Sequence, residues 1–158
     1  LKNEYDIHDI IRIHPYILGE EFEGLYVKHE KIYADRKRAD FVFSNDNISI
    51  VTEIKIGNVD VQALEQAIHY LNEEKKENPH KQLLGILVGR RVVKKQELEE
   101  KMKNSGYDFK IKFLDKEIPT DIKLCDNCRK ANTLWASTCK FCRSKKFIKD
   151  SFLFIPHK

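Results

Sequence analysis

No apolar run in the 158 residues approaches the roughly 20 needed to span a bilayer, so the sequence excludes a membrane-spanning helix. Internal repeats and low-complexity segments are also missing. Cysteine is absent from the first 124 residues, and all four fall between positions 125 and 142. A positive excess is lacking over most of the chain: residues 1–122 hold 20 Lys/Arg against 23 Asp/Glu, whereas residues 123–158 hold 9 against 2. The net charge of +4 therefore resides in the tail. That makes the tail a candidate for polyphosphate contact, since neutralising phosphates releases counterions. A basic face kept only for solubility would read the same way from charge alone. The chain opens Leu1-Lys2-Asn3 without a methionine and without the charged, apolar, small-residue order of a signal peptide. The expectation is an intracellular protein of cytoplasm or nucleoid, excised from a longer chain.

What is present fits one main domain and a small appendage. Apolar residues make up 41% and charged residues 34%, the balance of a soluble globular chain. The length exceeds one core, and a piece below about 40 residues usually needs a metal or disulfides to fold. The boundary is expected near residue 118, with 1–118 as the main domain and 119–158 as a four-cysteine module and tail.

Hydrophobic periodicity predicts a helix from Asn3, with Asn3 as its cap and Ile7, Ile10, Ile11 and His14 on one face, ending before Pro15. Strands are expected over 25–33, 38–43 and 48–56, the last two joined by a hairpin through Ser44-Asn45-Asp46-Asn47. A helix over 60–77 carries Val61, Leu64, Ile68 and Leu71 on one face and Gln62, Gln66 and His69 on another. The apolar run 83–88 reads as a strand buried on both faces, hence central. A charged helix over 94–104 stops at Gly106, and a further strand follows at 109–114. Residues 119–123 read as a linker and 147–155 as a last strand. Helices between the later strands predict an α/β fold with a mixed sheet flanked by helices.

Two of these strands carry charge where burial is expected. Asp40 interrupts Ala39 to Phe43, and Glu53 and Lys55 interrupt Ile48 to Ile56. Alternation projects Glu53 and Lys55 from one face, roughly 6.5 to 7 Å apart along the strand. Antiparallel pairing sets Asp40 opposite Thr52 or Glu53, depending on loop length, and only one of those registers aligns the two carboxylates. Burying both requires compensation by a cation or a proton; a hard divalent metal is the simplest, and Mg²⁺ or Mn²⁺ suits a carboxylate pair that leaves room for water and a phosphate oxygen. Lys55 could orient or deprotonate that water or stabilise charge on the phosphorane. An exposed sheet-face salt bridge is the bland alternative for Glu-x-Lys.

An aspartate on one strand with Glu53-Ile54-Lys55 on the next resembles the PD-(D/E)XK nuclease superfamily. More narrowly, Arg38-Ala39-Asp40, Glu53-Ile54-Lys55-Ile56-Gly57, Glu65-Gln66 and Tyr70-Leu71 resemble the nuclease domain of the NucS/EndoMS endonucleases. Glu4 and Pro15-Tyr16-Ile17-Leu18 extend the likeness upstream, so that it covers approximately residues 4 to 115. The resemblance implies a restriction-endonuclease-like fold, with Asp40, Glu53 and the Ile54 carbonyl as Mg²⁺ ligands. It further implies Lys55 as catalytic, Gln66 as support and Glu4 as a fifth member of the site. Ala67 stands where that family usually has leucine, and the family's N-terminal DNA-binding domain is not in this chain. His69 reads as a surface or packing residue.

The cysteines form Cys125-x2-Cys128 and Cys139-x2-Cys142 with ten residues between the pairs, the spacing of two knuckles closing a structural four-thiolate Zn²⁺ site. Two disulfides would be expected only in an oxidising compartment. With Asn132 between the pairs, the pattern resembles Ran-binding-protein zinc fingers, which bind single-stranded RNA or protein, although Lys123 replaces their tryptophan. A generic zinc ribbon fits equally. Trp135 and Phe141 among Arg129, Lys130, Lys140, Arg143, Lys145 and Lys146 either stack and pair with nucleic acid or form the module's small core. The expected activity is metal-dependent hydrolysis of DNA phosphodiesters, on branched, flapped, mismatched or single-stranded DNA in repair or recombination. RNA is the alternative substrate, and a homodimer cutting both strands is compatible with it. A non-catalytic nucleic-acid-binding protein on the same fold is the competing reading.

Overall fold

The computed structural model describes residues 4–148, with side chains from Asp6 onward. In chain order its elements are α1 (Glu4–Ile13), β1 (Tyr26–Ile32), β2 (Arg38–Ser44), β3 (Ile48–Ile54), β4 (Asn58–Val59), α2 (Val61–Glu77), β5 (Gln82–Gly89), β6 (Arg91–Val92), α3 (Lys95–Asn104), β7 (Asp108–Phe113), β8 (Ile122–Cys125), β9 (Ala131–Thr133) and β10 (Phe147–Ile148). Single 3-10 turns follow α1 at Pro15–Leu18 and Glu20–Phe22. The elements gather into two units, a sheet unit of Gly24–Leu114 and a cysteine unit of Leu1–Glu23 with Asp115–Lys158.

The sheet unit is built on a mixed sheet in the order β1-β2-β3-β5-β7. β1, β2 and β3 run antiparallel in succession, while β5 and β7 run parallel to β3. Parallel neighbours need a crossover, which α2 and α3 provide. The α/β class and the mixed sheet are those expected, and β5 is interior as its apolar run predicted. Asp60 caps α2 from an extended backbone, its side chain accepting from the Ala63 N–H at 2.9 Å. One apolar cluster joins Ala39, Val42 and Val51 to Tyr70 and Leu71 of α2. A second joins Val59 and Leu87 to Leu64 and Ala67 of α2 and Leu98 of α3. Glu74, almost fully buried, accepts from the Tyr33 hydroxyl at 2.8 Å and from the Lys31 ammonium, which also meets Glu77 at 3.1 Å. That buried pair fastens the last turns of α2 to β1.

The β2–β3 turn is set by Asn45, whose side chain accepts from the Asn47 and Ile48 amides at 2.8 and 2.9 Å. It fixes the pairing Phe43↔Ile50 and Phe41↔Thr52. One step further along the same register, Asp40 falls opposite Glu53, the one of the two possible alignments that brings the carboxylates together. Strands expected over 25–33 and 48–56 are shorter, at Tyr26–Ile32 and Ile48–Ile54.

In the cysteine unit a three-stranded antiparallel sheet runs β10-β8-β9. Ile10 of α1 packs with Ile122, Leu124 and Ala131 of that sheet, flanked by Tyr16, Ile17 and Ile148. The Tyr16 hydroxyl accepts from the Ala131 N–H at 2.6 Å. These contacts group residues 1–23 with the cysteine module, although along the sequence they precede the central strands. The stretch 119–123, expected as a linker, instead enters β8 at Ile122, because Ile122 and Leu124 alternate inward toward Ile10. Of the expected strand 147–155, Phe147–Ile148 pairs with β8, and 149–155 lie outside the described residues, as does the expected cap Asn3.

Candidate active site and metal centre

Val51 packs against α2, and strand alternation carries Glu53 and then Lys55 onto that same face of the sheet. Glu53 is 3% exposed. Its Oε1 accepts from the Asp40 N–H at 3.4 Å, while Asp40 Oδ2 accepts from the Ile54 N–H at 2.8 Å. Each carboxylate thus reaches across to the other's strand, in place of regular ladder bonds. Burial, then the neighbouring Asp40 charge, pushes the Glu53 carboxyl up to about 9, against a smaller opposing pull from Lys55. In the free protein at neutral pH the proton stays on Glu53. A cation between the two acids would relieve the desolvation and let both ionise, so the donor set fits a hard divalent ion. Lys55 is half-buried, and its backbone N–H donates to Val88 O at 2.8 Å, which holds it beside β5.

Gln66 is half-buried on α2 and lines a cleft of about 580 Å³ with Gln62, Tyr70 and the hairpin cations Arg36, Lys37 and Arg38. Tyr70 connects this cleft to the acids: burial first, then the charges of Glu53 and Asp40, raise its hydroxyl to about 12. Sequence reasoning gave Tyr70 no role, although it stands four residues after Gln66, the spacing that puts two residues on one helix face. The basic hairpin was missed as well, because charge counted over the long segment 1–122 averages it away. His69, expected at the surface or in packing, is half-buried with its Nε2 2.5 Å from Asp35 Oδ2. Donor atoms of Asp35, His69 and Glu73 lie within 4.8 Å of one another. Glu4 begins α1, and its side chain lies outside the described residues.

The four cysteines come together as spacing predicts, all sulfurs within 4.8 Å of one another. Sγ of Cys125 and Cys142 are 3.5 Å apart, and those of Cys128 and Cys139 are 3.6 Å apart. A tetrahedron with Zn–S near 2.3 Å has edges of about 3.8 Å, so the cluster can hold zinc. The two knuckles are built alike. Arg129 and Arg143, each directly after the second cysteine of its pair, are left-handed at φ 65° and 67°. Their amides donate to Cys125 O and Cys139 O at 2.9 and 3.0 Å. Burial works to raise the Cys139 thiol, but N–H groups of Cys142, Phe141 and the Asn132 side chain outweigh it and lower it to about 6. Asn132 also accepts from the Lys140 N–H at 2.8 Å, tying the two halves of the module together.

Of the residues expected to meet nucleic acid, Arg129, Trp135, Lys140, Arg143, Lys145 and Lys146 are exposed. Trp135 is 90% exposed, so it is no part of the module's core. Lys130 is engaged within the unit, 4.6 Å from the Phe141 ring centre and 3.3 Å from a Glu23 carboxylate oxygen. Phe141, 39% exposed, packs edge-on to Tyr16. Lys123, where the finger family has tryptophan, donates to Ala136 O at 2.6 Å and lies 4.1 Å over the Phe147 ring.

Solved structures similar to this chain include two endonucleases. A repair endonuclease from Pyrococcus abyssi superposes with a TM-score of 0.56 at 21% identity, over 72% of this chain and 48% of that one. EndoMS in complex with double-stranded DNA superposes with a TM-score of 0.57 at 19% identity, over 70% of this chain and 44% of that one. The chain has the NucS/EndoMS endonuclease fold. It spans less than half the length of either endonuclease. No family model matches the sequence, and no curated protein does. No helix among the described residues is long and apolar enough to cross a membrane.

Proposed function

We propose that this chain is a divalent-metal-dependent DNA endonuclease acting on branched, flapped, mismatched or single-stranded DNA in repair or recombination. The observation that carries the proposal is the pairing of buried Glu53 with Asp40 on adjacent strands, beside Lys55, within a fold shared with endonucleases. Asp40, Glu53 and the Ile54 carbonyl would hold Mg²⁺ or Mn²⁺, and when bound the ion would polarise a phosphate oxygen and acidify a water. Lys55 orients the attacking water and balances charge at the phosphorane. Gln66 and Tyr70 shape the wall along which the strand enters. The non-catalytic reading has to account for two acids set side by side, one of which can ionise at neutral pH only when a cation joins them. Zn²⁺ on the four cysteines is structural, and the exposed Trp135 with Arg129, Lys140, Arg143, Lys145 and Lys146 assists binding, with RNA as a competing ligand. The site of action is intracellular, and two copies acting together would cut both strands.

The test is cleavage of end-labelled single-stranded, flapped, mismatched and four-way-junction DNA in Mg²⁺ or Mn²⁺. Asp40→Ala and Glu53→Ala abolish cutting while leaving the thermal transition in place, and Lys55→Ala slows it by about 10²–10⁴-fold. Cutting by Glu53→Ala at the natural rate would remove the acid pair from the mechanism. Binding without cutting on every substrate would establish the non-catalytic alternative.

A further inference from the structure

Besides Lys55, three cations near the acid pair in the chain lie not in the basic tail but on the β1–β2 hairpin, and their setting is built rather than loose. Tyr33 N–H donates to Lys37 O at 3.0 Å, and Arg36 N–H donates to Tyr33 O at 2.8 Å. Arg36 takes the left-handed conformation, φ 69°, that the tight turn requires. Asp35 uses both carboxylate oxygens: Oδ1 accepts from the Lys37 N–H at 3.0 Å, and Oδ2 meets His69 Nε2 at 2.5 Å. The tip is thereby pinned to α2, so ordering it on binding would carry little further entropic cost.

Pinned there, Arg36, Lys37 and Arg38 form one wall of the 580 Å³ cleft, and Gln62, Gln66 and Tyr70 of α2 form the other. The three cations are exposed. Arg38 approaches Glu30 at only 3.9 Å with both side chains largely in solvent, a pair that yields readily to a stronger anion. The carboxylate on the cleft wall, Glu65, is engaged by Lys101 at 3.1 Å. Arg38 stands two residues before Asp40 on the same strand. The cleft therefore offers a row of positive charge along one side and amides that donate and accept along the other, with Tyr70 on its wall feeling the charges of Glu53 and Asp40.

The geometry points to this cleft as a phosphate-backbone subsite: the hairpin cations hold the phosphates of a DNA strand flanking the one presented to Asp40 and Glu53, while Gln62 faces its sugar and base edges. Charge complementarity selects the occupant. Guanidinium groups pair with phosphate oxygens, and a row of three matches the repeating charge of a phosphodiester chain better than a single small anion. The subsite deepens the nuclease reading but can be tested without cleavage.

The experiment is anisotropy of a fluorescein-labelled oligodeoxynucleotide, single-stranded and duplex, titrated with the Glu53→Gln protein in Ca²⁺ across a range of salt. The same protein carrying Arg36→Gln, Lys37→Gln and Arg38→Gln is compared with it. Gln keeps the aliphatic stems, and a version with Arg36→Lys and Arg38→Lys keeps the charge as a folding and electrostatic control. Removing the three cations lowers affinity at low salt by roughly tenfold or more and flattens the log–log salt slope by about two to three, with the charge-keeping version close to the parent. An unchanged affinity and slope in the three-Gln protein, with all binding lost instead on neutralising Lys140, Arg143, Lys145 and Lys146, would overturn the subsite. Because no cutting is read, a clamp on a protein that never cleaves is distinguishable from a nuclease whose clamp lies elsewhere.

Discussion

Glu53 shows how much one side chain's surroundings decide. Its carboxyl is raised from 4.5 to about 9 by burial and by Asp40, so the folded state holds the proton more tightly than the unfolded chain does. Stability from this group is therefore complete below about pH 4.5 and is lost as pH rises through about 9. In metal-free denaturant unfolding, the natural protein should lose several kcal/mol more than Glu53→Gln between about pH 5 and about pH 9. Added Mg²⁺ should recover most of that loss at the alkaline end. Parallel losses in the two proteins would mean that Glu53 is not the buried acid. Glu53 and Asp40 were legible in the sequence because charge inside an apolar strand is conspicuous. Tyr70 and Tyr33 were not, since an aromatic on a helix or strand reads first as core, and only the fold reveals which charges stand near it.

Elements were legible where periodicity runs long. The 17 residues of α2 and the apolar run of β5 stand where the pattern put them, whereas β4 and β6, two residues each, carry too little pattern to be read. The misread linker has the same origin: four residues of β8 become a strand through contacts with α1, which lies more than a hundred residues earlier. Gly85 in β5 illustrates a constraint invisible to periodicity. It pairs with Phe109 of β7, and a Cβ there would lie 2.2 Å from the Phe109 ring. Gly85→Ala should cost about 1–3 kcal/mol, read as a lower urea midpoint at unchanged slope. A midpoint equal to that of the natural protein would show that the ring can turn aside.

At the scale of the molecule, the two units should answer differently to loss of metal. A module held by four thiolates folds on its ion, so a chelator or Cys139→Ser should release it. Hydrogen exchange is the measurement: amides of Cys125, Arg129, Ala131, Cys139 and Arg143 should lose protection while those of β3 and β5 keep theirs. Metal analysis should find about one zinc per chain before chelation. Uniform protection after removal would mean that the cysteine unit stands without an ion. The composition gave no warning that this unit draws on segments before and after the strands of 24–114, because α1 alone is an ordinary amphipathic helix and chooses its partner only through packing.

That choice bears on how such a chain can change over generations. Ile10 shares an apolar cluster with Ile122, Leu124 and Ala131, and the Tyr16 hydroxyl accepts a hydrogen bond from the Ala131 N–H. A recombination event that transplanted only the cysteine-bearing codons would deliver a metal site with half of its hydrophobic support missing. Exchange by insertion or replacement of the middle segment would leave both halves together. The exchangeable cassette here is the stretch 24–114, and the segments that flank it travel as a pair.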